Sequence, residues 1–167
     1  MVLLDDAHAT QAKSRLYQDL IEEIVWNREQ DWDHSWQRAQ SALMQGKFAV
    51  AFLRYETGAE LQQITERSTK HQAYSRILIF NDCQTLDTEQ AQHFLQNLAG
   101  SSVAGVRDIH ANIDQNEFRQ AIQKIRDFIA AGDTYQVNFT YRLHFRSYGS
   151  AAALYLALRQ RQPVPYG

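Results

Sequence analysis

Tyr135-Gln136-Val137-Asn138-Phe139-Thr140-Tyr141-Arg142-Leu143-His144-Phe145-Arg146 is the most regular stretch of this chain. On an extended backbone Tyr135, Val137, Phe139, Tyr141, Leu143 and Phe145 point one way, and Gln136, Asn138, Thr140, Arg142, His144 and Arg146 the other. The alternation predicts a half-buried strand over residues 135–146, roughly 40 Å long at about 3.3 Å per residue. A strand of that length belongs to a large antiparallel sheet. Its polar face is the one constellation that suggests chemistry. Gln136 and Asn138 donate and accept hydrogen bonds, and Arg142 can grip a carboxylate with two parallel bonds. The plainer alternative is the wet side of an antiparallel strand.

The flanks frame this strand. Upstream, Asp114 and Glu117 have the spacing of a capping box. The stripe Phe118, Ala121, Ile122, Ile125, Phe128 and Ile129 then predicts an amphipathic helix ending at Gly132, where a left-handed residue is needed. Downstream, Tyr148-Gly149-Ser150 turns the chain. Ser150 can cap a helix carrying Leu154 and Leu158, which Pro163 stops.

Earlier in the chain, residues 31–45 read as a helix with Trp32, Trp36, Ala39, Leu43 and Met44 inward, started by Asp31 and Asp33 and stopped by Gly46. Residues 47–55 read as a strand suited to a buried position, and residues 76–80 as a second short strand. Residues 88–98 read as a helix presenting Ala91, Phe94, Leu95 and Leu98 to a core. Residues 15–26 fit either a helix or short strands broken by a turn at Gln18-Asp19.

Composition limits the function classes. The chain has 167 residues, 44% hydrophobic and 22% charged, with a net charge of −2. These values fit one soluble globular domain or a large piece of one, and argue against disorder, a fibre or a basic nucleic-acid binder. No apolar run reaches the roughly 18 residues of a membrane span. The start of the chain lacks the pattern of a signal peptide, so a cytoplasmic location is expected. Cys83 is the only cysteine and reads as a reduced thiol. The six histidines lack ligand spacing, and no metal site is expected within these residues. Phosphate-loop and nucleophile-elbow motifs are absent. Charge is uneven: residues 1–99 carry 14 acidic and 9 basic side chains, residues 100–167 carry 5 and 8. The basic part would favour a small anionic ligand, the plainer alternative being a chance excess on a solvated face.

The run Ile129-Ala-Ala-Gly132-Asp133-Thr-Tyr135-Gln136-Val137-Asn138-Phe139-Thr140-Tyr-Arg142 resembles the chorismate-utilising enzymes. Leu3-Leu4-Asp5-Asp6, Ser14-Arg15-Leu16-Tyr17, Phe52-Leu53-Arg54-Tyr55-Glu56-Thr57-Gly58 and Gln162-Pro163-Val164-Pro165-Tyr166 resemble further segments of that family, in order along the chain. The Tyr-Gln-Val-Asn form leans toward component I of the aminodeoxychorismate synthases over the anthranilate synthases. The resemblance implies an α+β fold with antiparallel sheets flanked by helices, and it favours strands over residues 15–26. It divides the chain into an N-terminal region, 1–110, and the opening of the chorismate-binding region, 111–167.

The resemblance also implies functional roles. Family members that add water to chorismate carry a lysine, as general base, at the position matching Gln136; those that add an amine carry glutamine. Ammonia is its own nucleophile, and a base that deprotonates water would invite the wrong product. Asn138, Thr140 and Arg142 complete the substrate-side face. Leu4, Asp5, Asp6, Pro165 and Tyr166 match the segments that build a tryptophan pocket in this family, with Asp6 in place of serine. A complete enzyme would use Mg2+ and take ammonia from a glutamine amidotransferase component. The magnesium-binding glutamates, the general acid and the lysine of a Pro-Ile-Lys-Gly-Thr motif match nothing in these 167 residues, so the chain alone is expected to be inactive. Alternatives are a non-catalytic paralogue that binds tryptophan or docks with the amidotransferase, and an anthranilate synthase component. With its sheet unfinished, the chain is expected to leave an apolar face and a bare edge open, and to self-associate through them.

Overall fold

In a computed structural model of the chain, residues 1–7, 13–26, 32–64, 74–165 and 167 are described. They form two compact units, Met1–Phe94 with Arg161–Gly167, and Leu95–Gln160. The fold is α+β, and both sheets are antiparallel.

The first unit is built on four strands, β1 (Val2–Leu4), β2 (Ser14–Trp26), β3 (Phe48–Phe52) and β4 (Ser75–Leu86), in the order β1-β2-β4-β3. The alternation of β4 separates its side chains between two faces. Ile77 and Ile79 pack with Ile24 and Ala39 of helix α1 (Trp32–Met44). Phe80 turns the other way, onto Tyr17 and Val50. Cys83 packs beside this second cluster as a free thiol.

Residues 15–26 resolve as one strand with an irregularity. Asp19 adopts a left-handed φ of 55°, and the β2–β4 register shifts between Leu20 and Glu22. No turn breaks the strand at Gln18-Asp19: pairing with β4 runs across it, and the bulge lies just beyond, between Leu20 and Glu22.

Three expectations need correction. The 47–55 run is a short edge strand rather than a buried one, with Phe52 and Leu53 about half exposed; Tyr55 already opens helix α2 (Tyr55–Leu61). An edge strand pairs on one side only, so its outer residues stay in water. Helix α1 turns Ser35 and Ala39 inward, while Trp36, Leu43 and Met44 are exposed. Small residues let the helix lie close to the sheet, and Trp36 instead stacks on Trp32, which meets Trp26 edge-on. Asp31 lies outside the described residues. Helix α3 (Thr88–Ala99) buries Ala91, Leu95 and Ala99 but leaves Leu98 half exposed.

The second unit contains β5 (Gly105–Ala111), α4 (Gln115–Ala131), β6 (Leu143–Tyr148) and most of α5 (Ala151–Arg161). The caps of α4 form as expected. Asp114 accepts from the Glu117 N–H at 2.8 Å, Glu117 accepts from the Asp114 N–H at 2.8 Å, and Gly132 closes the helix at φ 82°. Ser150 caps α5 by accepting from the Ala153 N–H at 3.0 Å. The apolar stripe of α4 and the apolar side of β6 stay open: Phe118, Phe128, Ile129, Leu143 and Phe145 are all exposed.

No helix among the described residues is long and apolar enough to cross a membrane.

Candidate functional site

The strip that carries Gln136 begins where α4 ends. Gly132 in the left-handed region turns the chain, and the Gly132 and Asp133 N–H groups bond back to the carbonyls of Ile129 and Phe128 at 3.1 and 3.0 Å. These bonds satisfy two of the last carbonyls of the helix. The Thr134 hydroxyl then donates to the Gln136 carbonyl at 3.1 Å.

The expected strand over residues 135–146 is only partly realised. Regular pairing begins at Leu143, because β5 is the strand that β6 meets and it reaches only to Ala111. Asn112 carries the junction one step further: its N–H donates to the Arg142 carbonyl at 3.0 Å, and its side-chain oxygen accepts from the Arg142 N–H at 2.8 Å. Residues 135–142 have no ladder partner among the described residues.

Without a partner, the period-two arrangement still holds. The Gln136 amide donates to the Asn138 side-chain oxygen at 3.4 Å, which puts residues two apart on one side. Phe139 and Tyr141 are likewise neighbours, and both rings meet Phe118 of α4, at 5.8 and 6.0 Å. Only an extended backbone brings i and i+2 together in this way, with alternate residues on opposite faces. The apolar side therefore faces α4, and Gln136 and Asn138 face away from it. By the same alternation Thr140 and Arg142 share their side. All four are exposed or half-exposed.

The second candidate set lies in the first unit. Asp5 is 1% exposed and accepts from the Ser14 hydroxyl at 2.8 Å. The same hydroxyl oxygen accepts from the Asp6 N–H at 3.0 Å. Asp5 and Gly167 exchange backbone hydrogen bonds, and the Ala7 N–H donates to the Val164 carbonyl at 3.0 Å. The start of the chain is thus laced to the segment that contains Pro165. Leu4, Asp5 and Asp6 lie on one side of this lacing and the exposed Pro165 on the other; Tyr166 lies outside the described residues. Sequence patterns assign no role to Ser14. Its signal is its place in the Ser-Arg-Leu-Tyr segment, and its partner becomes visible only with the register of β2.

A family model described as chorismate binding enzyme matches residues 2–167. The chain belongs to the chorismate-binding enzyme family. Comparison with curated proteins and with solved structures gave no match.

The 136–142 face carries Gln136, Asn138, Thr140 and Arg142. Amides and a hydroxyl offer neutral hydrogen bonds, and one guanidinium offers a two-pronged grip. The same face does not suit magnesium, which takes hard oxygen ligands, usually with one or two carboxylates. Nor do any three His, Cys, Asp or Glu side chains gather at a metal-holding distance among the described residues.

Proposed function

We propose that this chain carries the N-terminal part of an aminodeoxychorismate synthase component I, which converts chorismate and ammonia to 4-amino-4-deoxychorismate. In the net reaction a C–N bond forms at carbon 4 of the ring, and the hydroxyl there departs as water. The observation that carries the proposal is the glutamine at position 136, placed on the polar side of an extended strip within the family's Gly-Asp-x-Tyr-Gln-Val-Asn run.

The chemistry of the amide supports amine over water. Glutamine has no basic site, so it cannot take a proton from water as lysine can. It can accept a hydrogen bond from ammonia and donate one to the ring substituents, which orients the nucleophile without activating a competitor. Asn138 and Thr140 would fix the hydroxyl-bearing edge of the ring, and Arg142 one carboxylate. Mg2+ and an amidotransferase component that delivers ammonia belong to the complete enzyme under this proposal.

The test is ligand-induced stabilisation. Chorismate at millimolar concentration should raise the thermal midpoint of the chain, and Gln136→Ala or Arg142→Gln should remove the rise. No rise in the parent chain would contradict the proposal. With chorismate, magnesium and ammonium salt, the isolated chain should show no turnover above background.

A second reading has its own support. The lacing of Asp5 to Gly167 joins the two segments that match a tryptophan pocket. Calorimetric titration with tryptophan tests it: saturable heat favours a tryptophan-binding role, and no heat rejects it.

A further inference from the structure

Arg142 is the one charged side chain on the polar face of residues 136–142, and a single residue holds both of its backbone polar groups. Its carbonyl accepts from the Asn112 N–H at 3.0 Å, and its N–H donates to the Asn112 side-chain oxygen at 2.8 Å. In an antiparallel ladder, two facing residues can exchange both of their backbone hydrogen bonds. Here the side-chain oxygen of Asn112 stands in for its backbone carbonyl. Asparagine can do this because its side chain carries an amide carbonyl of the peptide kind.

The exchange suits the place of Asn112 in the chain. Ala111 ends β5 opposite Leu143, and Asp114 caps α4 two residues after Asn112. The backbone must leave the ladder here to enter the helix, and the side chain keeps the bond that the backbone gives up. Asn112 is itself held from both sides, by the Ala111–Leu143 pair before it and the reciprocal Asp114–Glu117 cap after it. Arg142 is thus tied to a fixed corner, although residues 135–142 have no ladder partner among the described residues. The far end of the strip is tied by Thr134, whose hydroxyl donates to the Gln136 carbonyl. The 17 residues of α4 span about 25 Å, and eight extended residues span about 26 Å, so the two ends of the helix serve the two ends of the strip.

This clasp fixes the arginine without neutralising it. Asn112 is uncharged, and no carboxylate among the described residues pairs with the Arg142 guanidinium. An aspartate at position 112 would supply the same acceptor oxygen, but its charge would compete for the guanidinium. Orientation matters for this side chain in particular. A planar fork meets a carboxylate with two bonds only when the two are aligned, whereas a lysine ammonium acts as a point charge.

We infer that Asn112 is a positioning residue, which fixes the backbone of Arg142 so that its guanidinium is aimed at the ligand carboxylate. The inference rests on the reading of the 136–142 face as the chorismate side.

The experiment measures chorismate affinity and, without ligand, hydrogen exchange of the Arg142 amide in the full 167-residue chain. Asn112→Ala should weaken chorismate at least fivefold and speed exchange of the Arg142 amide at least fivefold. Asn112→Asp keeps the acceptor oxygen and should exchange as slowly as the parent. In an Arg142→Lys background, where a point charge replaces the fork, Asn112→Ala should change the affinity less than twofold; a merely structural role would cost the same in both backgrounds. Undiminished affinity in Asn112→Ala, equal losses in the two backgrounds, or an Arg142 amide indifferent to Asn112→Ala would overturn the inference and leave the reading of the face standing. A parent chain that does not bind chorismate would overturn that reading, and this inference with it.

Discussion

Asp5 and Gly167 exchange both of their backbone hydrogen bonds, Asp5 N–H to Gly167 carbonyl at 3.1 Å and Gly167 N–H to Asp5 carbonyl at 2.7 Å. Residues at opposite ends of the sequence thus form one closed pair. The Asp5 carboxylate is buried beside this pair and accepts from Ser14.

Ser14 is the partner whose loss should be felt. Ser14→Ala removes the hydroxyl that donates to the buried Asp5 carboxylate and accepts from the Asp6 N–H. A hydrogen bond to a charged group is worth about 1.5–3 kcal/mol. A loss of about 2–3 kcal/mol is expected in urea denaturation; a loss below about 0.5 kcal/mol would show that the Asp5–Ser14 bond contributes little.

Two glycines in the second unit should differ in what they tolerate. Gly132 and Gly149 both have positive φ, at 82° and 78°. A Cβ on Gly132 meets nothing within 4 Å, whereas one on Gly149 would collide with the Val103 carbonyl and the Ala104 Cα. Gly132→Ala should therefore cost only the left-handed backbone penalty, about 1 kcal/mol, and Gly149→Ala should cost clearly more. Thermal melts of the two variants in parallel check the order. Equal losses would count against the packing at Gly149.

The open apolar surface of the second unit predicts association. Tyr135, Val137, Tyr141, Leu143 and Phe145 are all exposed, and residues 135–142 form an extended strip with no ladder partner among the described residues. Extended apolar edges invite pairing with another chain. Light scattering should find dimers or larger species at micromolar concentration, and Phe145→Glu should raise the monomer fraction. A sharp monomer peak for the parent chain would contradict this.

Local signals carry much of the fold. Capping chemistry announces both ends of α4, because Asp114, Glu117 and Gly132 act within one turn of the helix. The irregularity near Asp19 is legible too, but not its nature: a left-handed residue fits a turn as well as a bulged strand, and only the pairing of β2 with β4 separates them. Pairing is the harder part throughout. The alternation of residues 135–146 separates the side chains into two sets, but the apolar set expected to be buried stays largely exposed, and the extent of the ladder depends on how far β5 reaches. Similarly, the stripe on α1 names the right helix and, in Ala39, one of its buried residues, but the inward face is turned toward Ser35, where small side chains allow close approach to the sheet, and Trp36, Leu43 and Met44 stay exposed. For the site, Gln136, Asn138, Thr140 and Arg142 can be grouped from period two alone. Asn112 cannot join them, because 30 positions separate it from Arg142 and only the β5–β6 register brings the two together.

The most direct test of the central claim watches one side chain. In 15N-labelled protein the side-chain amide signals of Gln136 and Asn138 are recorded during titration with chorismate. Both should shift in a saturable manner, and Gln136→Ala should remove the response of Asn138. Unmoved amides in a folded, well-dispersed spectrum would contradict the assignment of this face to chorismate.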